Sequence, residues 1–302
     1  MAFTAKDVQA LREKTGCGMM DCKNALKETD GNMDAAVDYL REKGLASQAK
    51  KASRVAAEGQ VVALVEGDVA AVIEVNSETD FVAGNDEFKG FVTLCAKAVI
   101  ANNPADVDAL LASTYEGKTV SEYKEDIFLK FRENIQVRRF VRLEGKVVSY
   151  VHAGGKIGVL VALDTDLDMT DALVAMGKNV AMQVAAMNPS YLDQASVPAE
   201  DLEKEKNILI AQMKEDPKMA NKPDAVLGKI VEGKIGKFYK ENCLVEQQYV
   251  IDNDLTVGKY VENTAKALGA SAKVAGYVRF EKGEGIEKRQ DNFADEVASM
   301  IK

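Results

Sequence analysis

Two segments of the chain carry the same order of sequence features, offset by about 86 residues. Each starts with a Glu-Gly pair and β-branched residues, at 58–62 and at 144–148, and continues into a second apolar run. Each then carries an apolar stripe at helical spacing that stops at an Asn-Pro pair, Asn103-Pro104 or Asn188-Pro189. A β-hairpin followed by a helix explains this order. Internal duplication therefore predicts two related core subdomains of α+β type, with chance likeness of two hairpins as the alternative.

The first 44 residues predict a separate bundle of three short helices. Thr4 can cap the first helix and Asn32 the third, and apolar residues recur at helical spacing in each. Gly44 is expected to end the third helix. Residues 45–56 have weak periodicity and many small or charged side chains, which favours a linker that is partly helical.

The second copy contains a long charged excursion at about 198–241, interrupted at Asp216-Pro217 and Lys222-Pro223. It predicts an inserted helical hairpin that projects from the body. The sheet is expected to resume at 244–251 and at 274–280, with a helix near 256–268 between these strands and an amphipathic helix at 291–302. The predicted domains are 1–44, a linker at 45–56, core subdomain N at 57–143, core subdomain C at 144–281, and a C-terminal module at 282–302.

The residues offer little for catalysis. The chain has one histidine, His152, four cysteines without CxxC spacing, and no Walker-type phosphate loop. The run 153–156 could cradle a phosphate, but its position between two strands favours a hairpin turn. We therefore expect a non-enzymatic protein without cofactor or metal.

Charge and hydropathy narrow the expected partners and location. The net charge of −9 disfavours nucleic acid as a partner, and the basic run Lys50, Lys51 and Arg54 is expected to be a solvated linker face. No apolar run is long enough to span a membrane, and the scattered thiols fit a reducing cytoplasm.

An unusual loop, residues 76–85, joins a strand to the helix that Asn85 can cap. Phe81 and Val82 are its large apolar residues. Phe81 could plug the end of the core, or it could be an exposed aromatic wedge for a partner. The residues alone leave both interpretations open.

Several motifs in this order resemble the elongation factor Ts family. Residues 15–23, Thr-Gly-Cys-Gly-Met-Met-Asp-Cys-Lys, resemble its N-terminal signature, and Thr79-Asp80-Phe81-Val82 resembles its second signature. Its later blocks resemble residues 150–152 with 157–161 and residues 279–281 with 283–288, so the likeness covers nearly the whole chain.

The resemblance implies a fold and a function. The fold would be an N-terminal three-helix (UBA-like) domain, two α+β subdomains, a coiled-coil arm and a C-terminal helical module. The function would be guanine nucleotide exchange on elongation factor Tu. The partner would be Tu in its GDP-bound and nucleotide-free forms. Residues Thr79–Val82 would dislodge the magnesium ion of Tu, so that GDP leaves and GTP replaces it. Further contacts with Tu would come from Met19, Met20 and His152.

Some positions depart from the family pattern. Gly84 stands where a basic residue is common, and Phe131-Arg132 replaces a commoner Ile-Gly pair, which puts one contact in doubt. Two other classes of function remain as alternatives: an adaptor that docks through the three-helix bundle, and a phosphate-handling enzyme. The aromatic residue beside an acid at 80–81 favours the exchange factor, since an adaptor has no need of that pair.

Overall fold

The computed structural model describes residues 3–215 and 224–287, and these residues form an α+β protein, as predicted. Its helices are α1 (Ala5–Thr15), α2 (Met19–Glu28), α3 (Met33–Lys51), α4 (Asp80–Gly84), α5 (Asp86–Asn102), α6 (Val107–Ala112), α7 (Val120–Phe131), α8 (Asp171–Met187), α9 (Ala199–Glu215), α10 (Asp224–Asn242) and α11 (Val257–Ala267). Its strands are β1 (Glu58–Glu66), β2 (Val69–Ser77), β3 (Thr114–Tyr115), β4 (Lys118–Thr119), β5 (Gln136–Glu144), β6 (Val147–His152), β7 (Ile157–Thr165) and β8 (Ala272–Glu281).

Helices α1 to α3 form the predicted N-terminal bundle around a small core that includes Leu11, Leu26 and Leu40. Thr4 closes a capping box with Asp7, and the Asn32 side chain accepts hydrogen bonds from two backbone N–H groups of α3. Both side chains thus satisfy backbone donors that a helix start leaves without partners.

The third helix does not end at Gly44, as the sequence suggested, but continues to Lys51. Gly44 is a packing residue: a Cβ atom there would lie 2.3 Å from Cδ2 of Leu129 on α7. The bundle therefore packs closely on the core at this point. Lys51 donates a hydrogen bond to the Arg132 carbonyl and Arg54 pairs with Glu78, so this basic run also makes contacts within the chain.

Two three-stranded antiparallel sheets form the centre, in the orders β1-β2-β5 and β6-β7-β8. The likeness includes a β-bulge at a corresponding place, since β5 and β8 each carry one extra residue, opposite Glu74/Val75 of β2 and opposite Ala162/Leu163 of β7. The helix after each hairpin ends at an asparagine in the left-handed region, with φ of 45° at Asn103 and 44° at Asn188. The two subdomains predicted from the repeat are thus confirmed.

The sheets pack against each other, with one helical layer on each outer face. Residues of both sheets, among them Val61, Val72, Leu160 and Phe280, share one buried cluster between the sheets. The outer faces bury separate cores, in which α5 covers the first sheet and α8 covers the second. Strands β2 and β7 are consequently buried on both faces.

Gly177 lies where α8 approaches strand β6, and a Cβ there would lie 2.5 Å from Cγ2 and 2.9 Å from Cβ of Val148. We expect Gly177→Ala to lower the free energy of unfolding by about 1–3 kcal/mol, because a stiff β-branched neighbour cannot move aside. The matched variant Gly233→Ala lies on the arm helix α10 with nothing within 4 Å, and it should raise that free energy by about 0.5–1 kcal/mol. Urea denaturation of both variants checks this, and equal effects would contradict the packing of α8.

Helices α9 and α10 form the predicted hairpin and bury Met213, Leu227, Val231 and Ile235 against each other. The chain segments that enter and leave this hairpin lie side by side, because the N–H groups of Ser190 and Tyr191 both donate to the Asn242 carbonyl. The described helices of the hairpin therefore have an apolar core of their own.

The prediction that the sheet resumes at 244–251 is wrong. This stretch is a 3-10 turn, Leu244–Glu246, followed by an irregular segment. The fully buried side chain of Gln183 replaces the missing strand partner. It accepts a hydrogen bond from the Val250 N–H at 2.9 Å and donates one to the Gln248 carbonyl at 3.1 Å.

A buried carboxylate ties the end of β8 to the first sheet. Glu74 is fully buried and accepts hydrogen bonds from Arg139 Nε (2.6 Å), Arg138 Nη1 (3.0 Å) and the Gly283 N–H (2.8 Å). Burial is the largest single influence on the pKa of this carboxyl, and acting alone it would raise that pKa. The donors of Gly283, Arg139, Asn76 and Arg138 together outweigh burial, so the pKa of Glu74 lies below its usual value.

The four cysteines are buried free thiols, and within the described ranges no helix is both long and apolar enough to cross a membrane. The predicted helix at 291–302, and with it most of the C-terminal module, falls outside the described residues. The domain boundaries remain a prediction.

Candidate functional site

The segment 79–84, expected to be a loop, contains the short helix α4. Thr79 is its N-cap, and the Thr79 hydroxyl accepts a hydrogen bond from the Val82 N–H at 3.4 Å. A helix this short shows no sequence periodicity, which is why the sequence did not reveal it.

Neighbouring residues of α4 point in opposite directions. The Phe81 side chain is 87% exposed, so it does not plug the core. Val82, in contrast, is buried and packs into the core of the first subdomain. Of the four residues assigned to partner binding, Val82 is therefore a core residue, and Phe81 is the large apolar group available at the surface.

Asp80 is exposed beside this ring. Across the parts of the chain that the structure describes, no basic side chain forms an ion pair with it. An unpaired carboxylate next to an exposed aromatic ring suits contact with a second protein, because both groups are free to change their surroundings on binding.

Thr79 is held in place by hydrogen bonds to Glu133, which lies in the loop between α7 and β5. Its N–H donates to Glu133 Oε2 at 3.0 Å, and its hydroxyl donates to Glu133 Oε1 at 2.6 Å. The next residue, Asn134, donates its N–H to Glu78 Oε1 at 2.6 Å. The sequence offered no pointer to these pairings, since Thr79 and Glu133 are 54 positions apart.

His152 lies at the start of the turn between β6 and β7. This turn is a hairpin turn, as predicted for residues 153–156 in preference to a phosphate cradle. The turn has positive φ at Ala153, Gly154 and Gly155, of 48°, 64° and 96°. His152 is exposed, with Nδ1 2.9 Å from the Tyr150 hydroxyl, so it is not a buried histidine satisfied by a backbone carbonyl.

Gln60 connects this turn with α4. Its Nε2 donates to the Ala83 carbonyl in α4 at 2.9 Å, and a Cβ on Gly155 would lie 1.6 Å from its Oε1. The Gly155 carbonyl also accepts a hydrogen bond from the Val61 N–H at 2.8 Å. The sheet packing thus brings the Phe81 helix and the His152 turn to neighbouring positions.

Met19 and Met20 begin α2 and are 45% and 63% exposed. The residue after them, Asp21, pairs with Arg132 at 2.9 Å, and Arg132 precedes the Glu133 that holds Thr79. The structure therefore links the predicted contact residues of the bundle to α4 through one loop. Arg132 stands where the family commonly has glycine. Its backbone takes a left-handed conformation with φ of 57°, which favours glycine, so the structure gives a reason for the commoner residue.

These groups are a candidate binding surface. In the described ranges no group of three or more His, Cys, Asp or Glu side chains could hold a metal ion. The surface combines exposed apolar side chains with a carboxylate and an imidazole, on elements held by hydrogen bonds. Such an arrangement suits contact with a partner protein.

Comparisons with known proteins agree on one family. The family model described as elongation factor TS matches residues 78–284. The chain is 50% identical to elongation factor Ts of Syntrophotalea carbinolica, and the match covers 100% of both proteins. It is 48% identical to elongation factor Ts of Magnetococcus marinus, over 100% of the chain and 99% of that protein. It is also 48% identical to elongation factor Ts of Clostridium tetani, over 99% of each.

Proposed function

This chain belongs to the elongation factor Ts family, and we propose that it releases GDP from elongation factor Tu by dislodging the magnesium ion of Tu. The family assignment makes it a guanine nucleotide exchange factor that serves translation elongation. It does not favour the adaptor and the phosphate-handling enzyme that the sequence left as alternatives.

The exposed ring of Phe81 carries the proposal. A large aromatic side chain that is 87% exposed gives the isolated protein little packing energy. Aromatic anchors of this kind commonly supply most of the binding energy when they fill a pocket on a partner. Asp80 next to it would meet polar groups of Tu, and Thr79 would hold the pair in place.

The mechanism needs no bond chemistry. Magnesium bridges the phosphates of a bound nucleotide and neutralises their charge, so its loss weakens the hold of Tu on GDP. By thermodynamic reciprocity, this protein and GDP each lower the affinity of Tu for the other, and GTP then displaces the protein in the same way. We accordingly propose that it acts through coupled binding and catalyses no reaction of its own.

The other assigned residues extend the proposed interface. Met19 and Met20 would add adaptable apolar contacts, since the thioether side chain fits irregular surfaces. His152, at the turn linked to α4 through Gln60, would add a polar contact. We propose that the protein is cytoplasmic and that it binds Tu both in the GDP-bound form and in the nucleotide-free form.

Release of fluorescent GDP from Tu tests the proposal. The wild-type protein should accelerate release in a saturable manner, and added magnesium should oppose this acceleration because it refills the vacated site. Tu alone at each magnesium concentration is the control. No acceleration would contradict exchange activity, whereas acceleration that is insensitive to magnesium would contradict only the displacement of the ion.

A further inference from the structure

The loop that joins α7 to β5 makes three different attachments with three consecutive residues. We call residues 132–134 the junction loop. Arg132 pairs with Asp21 of the N-terminal bundle, Glu133 binds Thr79 at the start of α4, and Asn134 binds the segment that follows α3. The junction loop therefore lies between the bundle and the Phe81 helix.

The two residues that flank Glu133 are themselves held in place. The Arg132 carbonyl accepts a hydrogen bond from Lys51 Nζ, and the Arg132 side chain reaches Asp21 Oδ2 at 2.9 Å. The buried Asn134 donates its side-chain amide to the carbonyls of Ala52 (3.2 Å) and Arg54 (2.8 Å). The backbone on both sides of Glu133 is thus fixed before any partner binds.

Glu133 in turn holds the N-cap of α4. Each of its carboxylate oxygens accepts one hydrogen bond from Thr79, from the N–H at 3.0 Å and from the hydroxyl at 2.6 Å. The hydroxyl proton points to Glu133, so a lone pair of the same oxygen stays free for the Val82 N–H. Hydrogen bonds to a carboxylate are stronger than those between neutral groups.

A helix of five residues has too few internal hydrogen bonds to fix its own start. We propose that Glu133 is a positioning residue, which sets the direction of α4 and so the place of the exposed Phe81 ring. This inference rests on the proposed function, because it assigns Glu133 a part in the exchange reaction without contact with Tu.

Three single variants test the inference. Glu133→Ala removes both acceptors, whereas Glu133→Gln keeps one acceptor oxygen and sets an amide donor against the remaining Thr79 donor. Glu66→Ala removes an exposed glutamate at the β1–β2 turn and is the matched control. Each full-length variant is assayed for release of fluorescent GDP from Tu, for thermal melting, and, without Tu, for hydrogen exchange in a peptide spanning 78–85.

We expect Glu133→Ala to slow GDP release by about tenfold, the equivalent of one charge-assisted hydrogen bond. Hydrogen exchange within 78–85 should quicken by a similar factor, Glu133→Gln should fall between wild type and Glu133→Ala, and Glu66→Ala should match wild type. Because Glu133 acts through the ring, adding Glu133→Ala to Phe81→Ala should slow release no further.

Each contrary result has a distinct meaning. Wild-type release rates in Glu133→Ala, or unchanged protection within 78–85, would overturn the inference while the exchange function stands. A lower melting temperature with protection lost evenly along the chain would make Glu133 a general stabiliser and would also overturn it. Should the wild-type protein fail to release GDP, the proposed function fails, and hydrogen exchange in the free protein still decides whether Glu133 positions α4.

Discussion

Phe81→Ala is expected to slow GDP release from elongation factor Tu by about thirtyfold, the rate equivalent of losing about 2 kcal/mol at one anchor residue. The same variant should change the free energy of unfolding by less than about 1 kcal/mol, because the side chain is 87% exposed and fills no space in the core. Stopped-flow release of fluorescent GDP measures the first effect, and urea denaturation measures the second.

Phe88→Ala is the matched control for this substitution. Phe88 lies seven positions further along, on α5, and is fully buried in the core of the first subdomain. Its truncation should cost about 3–5 kcal/mol of stability, with release changing only through the folded fraction. Phe81→Ala that melts far lower, yet exchanges normally once corrected for folded protein, would contradict the assignment of Phe81 to the partner surface.

Features with strong periodicity could be predicted from the sequence. The two hairpin-plus-helix units were evident because apolar runs, helical stripes and Asn-Pro stops recur in the same order. The structure adds a reason for the stops, since Asn103 and Asn188 both adopt the left-handed conformation that ends a helix and that asparagine tolerates. Repetition of local signals thus carried the prediction of the core.

Features that depend on one distant side chain could not be predicted. Apolar residues at 244–245 and 249–251 suggested strand segments, but the Gln183 side chain pairs with the Val250 N–H and the Gln248 carbonyl, and no strand forms there. Gly44 would usually end a helix, but here it gives room for Leu129 of another element. In both places a tertiary contact overrides the local preference.

The candidate site likewise contains residues that the sequence could indicate and residues that only the folded structure shows. The resemblance to a family named Asp80 and Phe81, and the structure shows which of the motif residues face outward. Glu133 and Gln60, which hold α4 from two sides, lie far from it in sequence and carry no pattern of their own. Their part in the site follows only from the distances in the folded chain.

Glu74→Gln should cause a large loss of stability at neutral pH, about 3 kcal/mol in the free energy of unfolding. The substitution keeps the shape of the side chain but removes the charge that Arg138 and Arg139 face. Breaking a buried ion pair commonly costs about 3–5 kcal/mol. The lower end applies because both arginines are partly exposed and can be solvated in the variant.

The pH dependence of this loss follows from the pKa of Glu74, which folding lowers. The carboxylate therefore stabilises the folded state fully above the ordinary glutamate pKa of about 4.3, and this contribution disappears as the pH falls through the lower folded value. Below that value Glu74 is protonated and resembles glutamine. The stability curves of wild type and Glu74→Gln should accordingly lie apart at pH 7 and converge in acid.

Urea denaturation of both proteins from neutral to acid pH measures this convergence, because all other titrating groups are shared and cancel in the difference. Glu66→Gln, at an exposed position of the β1–β2 turn, should stay within about 0.5 kcal/mol of wild type at every pH. A gap between wild type and Glu74→Gln that keeps the same size in acid would show that the loss comes from packing and not from the charge. Equal stabilities at pH 7 would mean that the ion pairs of Glu74 with the two arginines only offset the cost of burying its charge, as some buried pairs do.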